Sequence, residues 1–175
     1  MTRFILMMIF LMLGIVGMKP NVYVPDTVVL SEPTELEKFL DHMARRESNN
    51  NHTVVNSYGM MGKYQFSPRT VRVLGFNVDK QTFLSRPELQ DTIMVTYMRA
   101  NNRELSDIIR RFEGRTYKGV RITRAGVIAG AHLCGSGNAR RFFVIQDHNG
   151  CVDANGTSIR DYITEFNSYN LGEIF

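Results

Sequence analysis

Glu47 is the residue whose setting most clearly asks for chemistry. Met43, Leu40 and Leu36 precede it in steps of four, three and four, a spacing that places all four side chains on one face of a helix. The face is apolar, so the carboxyl is expected to be partly buried, which disfavours its charged form. The same position is the C-terminal end of that helix, where the macrodipole is negative and opposes a further negative charge. Both effects favour a carboxylic acid that keeps its proton, the requirement for a general acid that protonates a leaving-group oxygen. Arg45 and Arg46 would act the other way, but their positions one and two residues back direct them to other faces. Asp41, six residues earlier, also belongs to a different face.

The elements that would position Glu47 are helical. Thr34 followed by Glu37 is a capping-box pattern, and Leu36, Phe39, Leu40 and Met43 recur at helical spacing, so a helix is expected over residues 35–47, stopped by Asn49-Asn50-Asn51. A loop then carries Ser57 to Tyr64. Ser67-Pro68 caps and opens a helix to about Leu74. Arg86-Pro87-Glu88 opens another, with Leu89, Ile93 and Tyr97 on one face. Further helices are expected from Glu104 to Phe112, from Arg124 to about Leu133 behind Thr123, from Asn138 to about Val144, and from a cap at Thr157 or Ser158 through Phe166. A small irregular β element is allowed near Arg115 to Ile122. The expected architecture is an all-α domain of short helices.

The segment after Glu47 adds specificity. Residues 46–70 read RESNNNHTVVNSYGMMGKYQFSPRT. The Glu47-Ser48 pair ends a helix, and Ser57, Gly59, Gly62, Gln65, Phe66, Pro68 and Thr70 follow in the register S-x-G-x-x-G-x-x-Q-hydrophobic-x-P-x-T. This combination resembles the soluble lytic transglycosylases of the lysozyme-like superfamily, over residues 35–166. The resemblance implies a lysozyme-like fold around a glycan-binding cleft. It also implies cleavage of the β-1,4 bond between MurNAc and GlcNAc in peptidoglycan, with Glu47 as catalytic acid. Ser48, Ser57, Gly59, Gly62 and Gln65 would then contact substrate, the glycines by letting backbone approach the sugar at positive φ and Gln65 by offering both donor and acceptor to an N-acetyl group or hydroxyl. The stretch Ala131-His132-Leu133-Cys134-Gly135 stands where the family has an A-Y-N-x-G type segment and is similar to phage- or plasmid-associated variants. It departs from the common form at His132 and Leu133, so the contact made by the usual Asn is missing. His132 either lines the cleft or serves as a structural histidine. Tyr162 matches a tyrosine of the last helix that sits near the catalytic acid.

The implied mechanism uses one carboxylate. Glu47 protonates the glycosidic oxygen and then accepts the proton of the MurNAc 6-hydroxyl as that oxygen closes on C1, leaving a 1,6-anhydro end. Two alternatives stay open: a hydrolytic muramidase of the same fold, for which no second carboxylate stands out, and a non-catalytic glycan-binding or assembly module of a secretion, conjugation or phage entry apparatus.

Composition sets the surroundings. A chain of 175 residues with 43% hydrophobic residues suits a single domain with a real core. The net charge of +4 is modest, and the pairs Arg45-Arg46, Arg110-Arg111 and Arg140-Arg141 read as solvated surface, with no nucleic-acid partner expected. The expected partner is the peptidoglycan strand, alone or with a larger envelope-spanning or phage machine. Residues 1–19 contain Arg3 and then an uncharged apolar run from Phe4 to Met18, short for a membrane span and suited to an export signal or a short membrane anchor. The protein is therefore expected in the periplasm or cell envelope. Residues 20–34 are a linker, and residues 35–175 the domain. Cys134 and Cys151 either pair in an oxidising compartment or remain one buried and one surface thiol. The four histidines lack metal-ligand spacing. Asp153-x-Asn155-Gly156 lacks the closing Glu of a calcium loop and reads as a turn before a helix cap. No P-loop, dinucleotide fingerprint or nucleophile elbow is present, so no cofactor or metal is expected.

Overall fold

Local capping chemistry sets most of the element boundaries. In a computed structural model that describes residues 32–145, 150–172 and 175, the Thr34 hydroxyl accepts from the Glu37 backbone N–H at 3.2 Å while the Glu37 carboxylate accepts from the Thr34 N–H at 2.8 Å. This box starts α1 (Glu35–Ser48). Asn49 and Asn50 end it in the left-handed region, at φ 54° and 61°, which asparagine tolerates better than most residues. Ser67 and Pro68 open α2 (Pro68–Val73), and Asp79 opens α3 (Lys80–Ser85) by accepting from Thr82 N–H. Then come α4 (Pro87–Glu104) and α5 (Ser106–Phe112). A hairpin of β1 (Thr116–Tyr117) and β2 (Val120–Arg121) follows, and the chain finishes with α6 (Arg124–Cys134), α7 (Ser136–Val144) and α8 (Ile159–Glu165). The domain is mostly helical, with this one small antiparallel pair among the described residues. The anticipated helices are present within about two residues at most ends; α3 was not anticipated, and α4 runs on to Glu104.

Two apolar clusters fill the interior, and α6 serves both. Phe39, Met43, Tyr64, Phe66, Met98 and Phe166 surround the Ala125/Ile128/Ala129 side of α6. Leu105, Ile109, Ile122, Phe142 and Ile163 surround its Val127/Ala131 side. Small residues let α8 approach closely: a Cβ on Gly126 would meet the Ile163 carbonyl oxygen at 2.8 Å, and one on Gly130 would meet Ile159 Cγ1 at 2.8 Å. This packing sets the position of His132, in the last turn of α6, and of Tyr162 on α8.

Cys134 and Cys151 form a disulfide across a Cα–Cα distance of 5.8 Å. It ties the end of α6 to the segment preceding α8. Closing a loop with a sequence separation of 17 contributes about 3 kcal/mol in the chain-entropy model. Replacing both cysteines by serine is expected to lower the melting temperature by roughly 6–12 °C, measured by circular dichroism. An unchanged transition would show that the bond does not constrain the unfolded chain. No helix among the described residues is long and apolar enough to cross a membrane. The apolar run of residues 4–18, with the export-signal and membrane-attachment expectations built on it, lies outside the described residues, as does residues 20–31 of the linker.

Candidate active site

The carboxyl of Glu47 reaches a cleft of about 510 Å³. Phe39, Met43 and Ala44 anchor α1 in the core, and the helical spacing carries Glu47 to the edge of that buried face, where its side chain is 16% exposed. The Tyr162 hydroxyl donates to Glu47 Oε1 at 2.5 Å. Burial first, and then the neighbouring Glu47 charge, raise the phenol's pKa, so Tyr162 stays a protonated donor at neutral pH. His132 Nε2 lies 3.6 Å from the same oxygen, and the imidazole is only 7% exposed. Its ring is held edge-on by Phe66 and Tyr97, each at a centroid distance of 5.6 Å. Burial pushes the His132 pKa below its ordinary value against the opposing pull of Glu47, so the ring is neutral at pH 7. Both neighbours face Oε1. Among the described residues no hydrogen bond or ion pair engages Oε2, which leaves that oxygen to exchange a proton with a ligand.

Gln65 lines the cleft as well. Its backbone sits in the left-handed region at φ 49°, an uncommon conformation for a residue with a Cβ. Its side-chain amide donates to the Gly62 carbonyl at 2.9 Å, so the Oε1 atom is the part directed to other partners. Leu133 also lines the cleft.

The other motif residues are placed differently. Ser48 is bound up in the loop: its hydroxyl contacts the carbonyls of Ala44 at 3.2 Å and Lys63 at 2.9 Å and accepts from Asn51 N–H at 3.0 Å. Ser57, Gly59 and Gly62 do not line the cleft. Both glycines do have positive φ, 78° and 71°. The space against Gly62, however, is taken by Gln90 and Phe83 rather than left open for a sugar. Ser48 and Gly62 thus shape the loop that presents Gln65.

Several contributors were not anticipated. Gln90 is fully buried, accepts from Lys63 N–H at 2.8 Å and donates to the carbonyls of His52 at 2.9 Å and Phe83 at 2.8 Å. Its legible signal was a Gln on the stripe shared with Ile93, Met94 and Met98. Arg46 corrects the expectation that it projects away from Glu47. Its long side chain turns back over the Tyr162 ring at 5.3 Å and lines the cleft, held by Glu165 and Thr157 at 3.3 Å each. Asn56, Tyr58 and Tyr97 also line the cleft, and Asp153, Ala154 and Asn155 join them from the segment beside the disulfide. Among the described residues Asp153 is the second carboxylate that lines the cleft. Its Oδ1 accepts from the N–H groups of Asn155 at 2.9 Å and Thr157 at 2.7 Å, holding the turn that leads to the Ser158 cap. Among the described residues no group of three or more His, Cys, Asp or Glu side chains is gathered as a metal ion would require.

No protein-family model, curated protein or solved structure matches the chain.

Proposed function

We propose that this protein is a peptidoglycan lytic transglycosylase of lysozyme-like fold, exported to the periplasm or cell envelope, with Glu47 as its single catalytic acid and base. The observation that carries the proposal is the Glu47 carboxyl in a polar cleft, with Oε1 held by the Tyr162 hydroxyl at 2.5 Å and Oε2 free of protein partners among the described residues.

In the proposed reaction the Glu47 acid gives its proton to the glycosidic oxygen between MurNAc and GlcNAc as the C1–O bond breaks. The resulting carboxylate takes the proton of the MurNAc 6-hydroxyl while O6 bonds to C1. The products are a 1,6-anhydroMurNAc end and a free GlcNAc 4-hydroxyl. Glu47 regains its proton and no water is consumed. The substrate's N-acetyl group supports the developing cation, and Gln65 Oε1 offers that group an acceptor. Tyr162 steadies the carboxylate between the two steps by donating to Oε1, and neutral His132 beside it adds no competing positive charge. The disulfide supports export to an oxidising compartment.

Asp153 favours a second reading, a hydrolytic muramidase in which a second cleft carboxylate activates water or forms the glycosyl intermediate. Its commitment to two backbone N–H groups makes it the weaker candidate. Incubation of the protein with purified sacculi is expected to release soluble glycan fragments. A folded protein that binds sacculi and releases none would instead support a glycan-binding or assembly module.

A further inference from the structure

Tyr58 occupies the variable position between Ser57 and Gly59, and nothing in the fold explains it. Its side chain is among the most exposed large apolar groups of the protein, 74% accessible, yet it lines the cleft. Among the described residues its ring packs on no other ring, and its hydroxyl makes no hydrogen bond. The backbone beneath it is nevertheless firmly built. Asn56 Oδ1 accepts from Tyr58 N–H at 2.9 Å and from Met60 N–H at 3.0 Å. Asn56 N–H donates to the Met60 carbonyl at 3.0 Å, and Gly59 N–H returns to the Asn56 carbonyl at 3.0 Å. Val55 and Met61 close the base of this turn as a β-bridge, with Met61 buried in the core. An aromatic ring held out on a stiff turn is preorganised, so a ligand covering it loses little conformational entropy in doing so.

The neighbouring lining chemistry identifies the kind of ligand. Asn56, Gln65, Ser67, Thr70 and Asn155 share the cleft with Tyr58. Amides and hydroxyls that share a cleft with one exposed ring suit a molecule with an apolar face and a hydroxylated rim. A pyranose has that shape: its C–H face lies on an aromatic ring while its equatorial hydroxyls and N-acetyl group meet amides. We infer that Tyr58 is a stacking subsite for one pyranose ring of the glycan strand, and hence a determinant of substrate affinity rather than a catalytic residue. The inference rests on the glycan-cleaving proposal above.

The test is calorimetric titration of soluble, peptide-free glycan strands into the full chain carrying Glu47→Gln, with and without a substitution at Tyr58. Tyr58→Ala is expected to weaken binding about 30-fold, the size at which an interface side chain counts as a hot spot, with an unchanged melting temperature. Tyr58→Phe is expected to bind within about twofold of Tyr58. In the Glu47-containing enzyme, Tyr58→Ala should raise KM on the same strands by a similar factor and leave kcat nearly unchanged, since a contact equal in ground and transition states affects KM alone. Equal affinity of the Ala and Tyr forms would overturn the subsite while leaving the glycan-cleaving proposal intact. Loss of affinity in Tyr58→Phe as large as in Tyr58→Ala would replace stacking by a hydroxyl contact and also overturn it. No binding of strands by any variant, with no cleavage by the unsubstituted chain, would remove the glycan proposal and this inference together.

Discussion

Glu47→Gln should lower the rate of glycan release from purified sacculi by about 10³-fold or more, because in the proposed mechanism one group supplies both the proton to the leaving oxygen and the base for the 6-hydroxyl, and each such role is worth roughly 10²–10⁴-fold. Glutamine keeps the size of the side chain and an oxygen that can accept from Tyr162, so the 2.5 Å contact has a near equivalent in the variant. Its amide has no proton to give at neutral pH. The melting temperature should therefore hold while activity falls, separating loss of chemistry from loss of fold. Activity within tenfold of the unsubstituted protein would remove Glu47 from the mechanism.

Gly62→Ala should have the largest effect on stability among single small substitutions in the motif loop. A Cβ there would overlap Gln90 Oε1 and come within 2.9 Å of Phe83 Cε1. Overpacking of this kind costs roughly 1–3 kcal/mol, and positive φ at a residue with a Cβ adds about 1 kcal/mol. The atom displaced is the acceptor of Lys63 N–H, on an amide that also ties down His52 and Phe83, so the Gln90 network would have to break or shift. The expected fall in melting temperature is about 4–16 °C. Gly59→Ala is the matched control. Its φ is similar, +78°, but nothing lies within 4 Å of the added carbon, so it should lose only about 1 kcal/mol. Equal losses at the two positions would mean that backbone conformation, and not the Gln90 contact, is what Gly62 provides.

The contrast between these two glycines shows where sequence was sufficient and where it was not. Helix starts were legible because caps are local: Thr34 with Glu37, Ser67 with Pro68 and Thr123 each satisfy backbone donors within four residues. The edge position of Glu47 was legible because Met43, Leu40 and Leu36 reveal the buried face. Asp79 is as good a cap as the others, but α3 is six residues long with Phe83 as its one buried side chain, too little periodicity to stand out. Features that depend on residues meeting across the fold were not legible. Gly62 looks like an open loop glycine until Gln90, 28 positions later, fills the space beside it. Arg46 leaves its helix in one direction, yet its length lets the guanidinium fold back over Tyr162, a partner supplied by α8. The cysteine pairing stayed open because it depends on a 5.8 Å Cα separation created by the docking of α6 and its following segment. Tyr58 fell in a variable position of a motif, where pattern matching carries no information and only its exposure and its cleft reveal it.

The mass of the reaction products tests the central claim most directly. Purified sacculi would be digested with the full chain and the released muropeptides analysed by mass spectrometry. One-carboxylate chemistry at Glu47 predicts fragments ending in 1,6-anhydroMurNAc, with no reducing MurNAc ends. Fragments heavier by one water would contradict it and direct attention to Asp153 as the second carboxylate of a hydrolase.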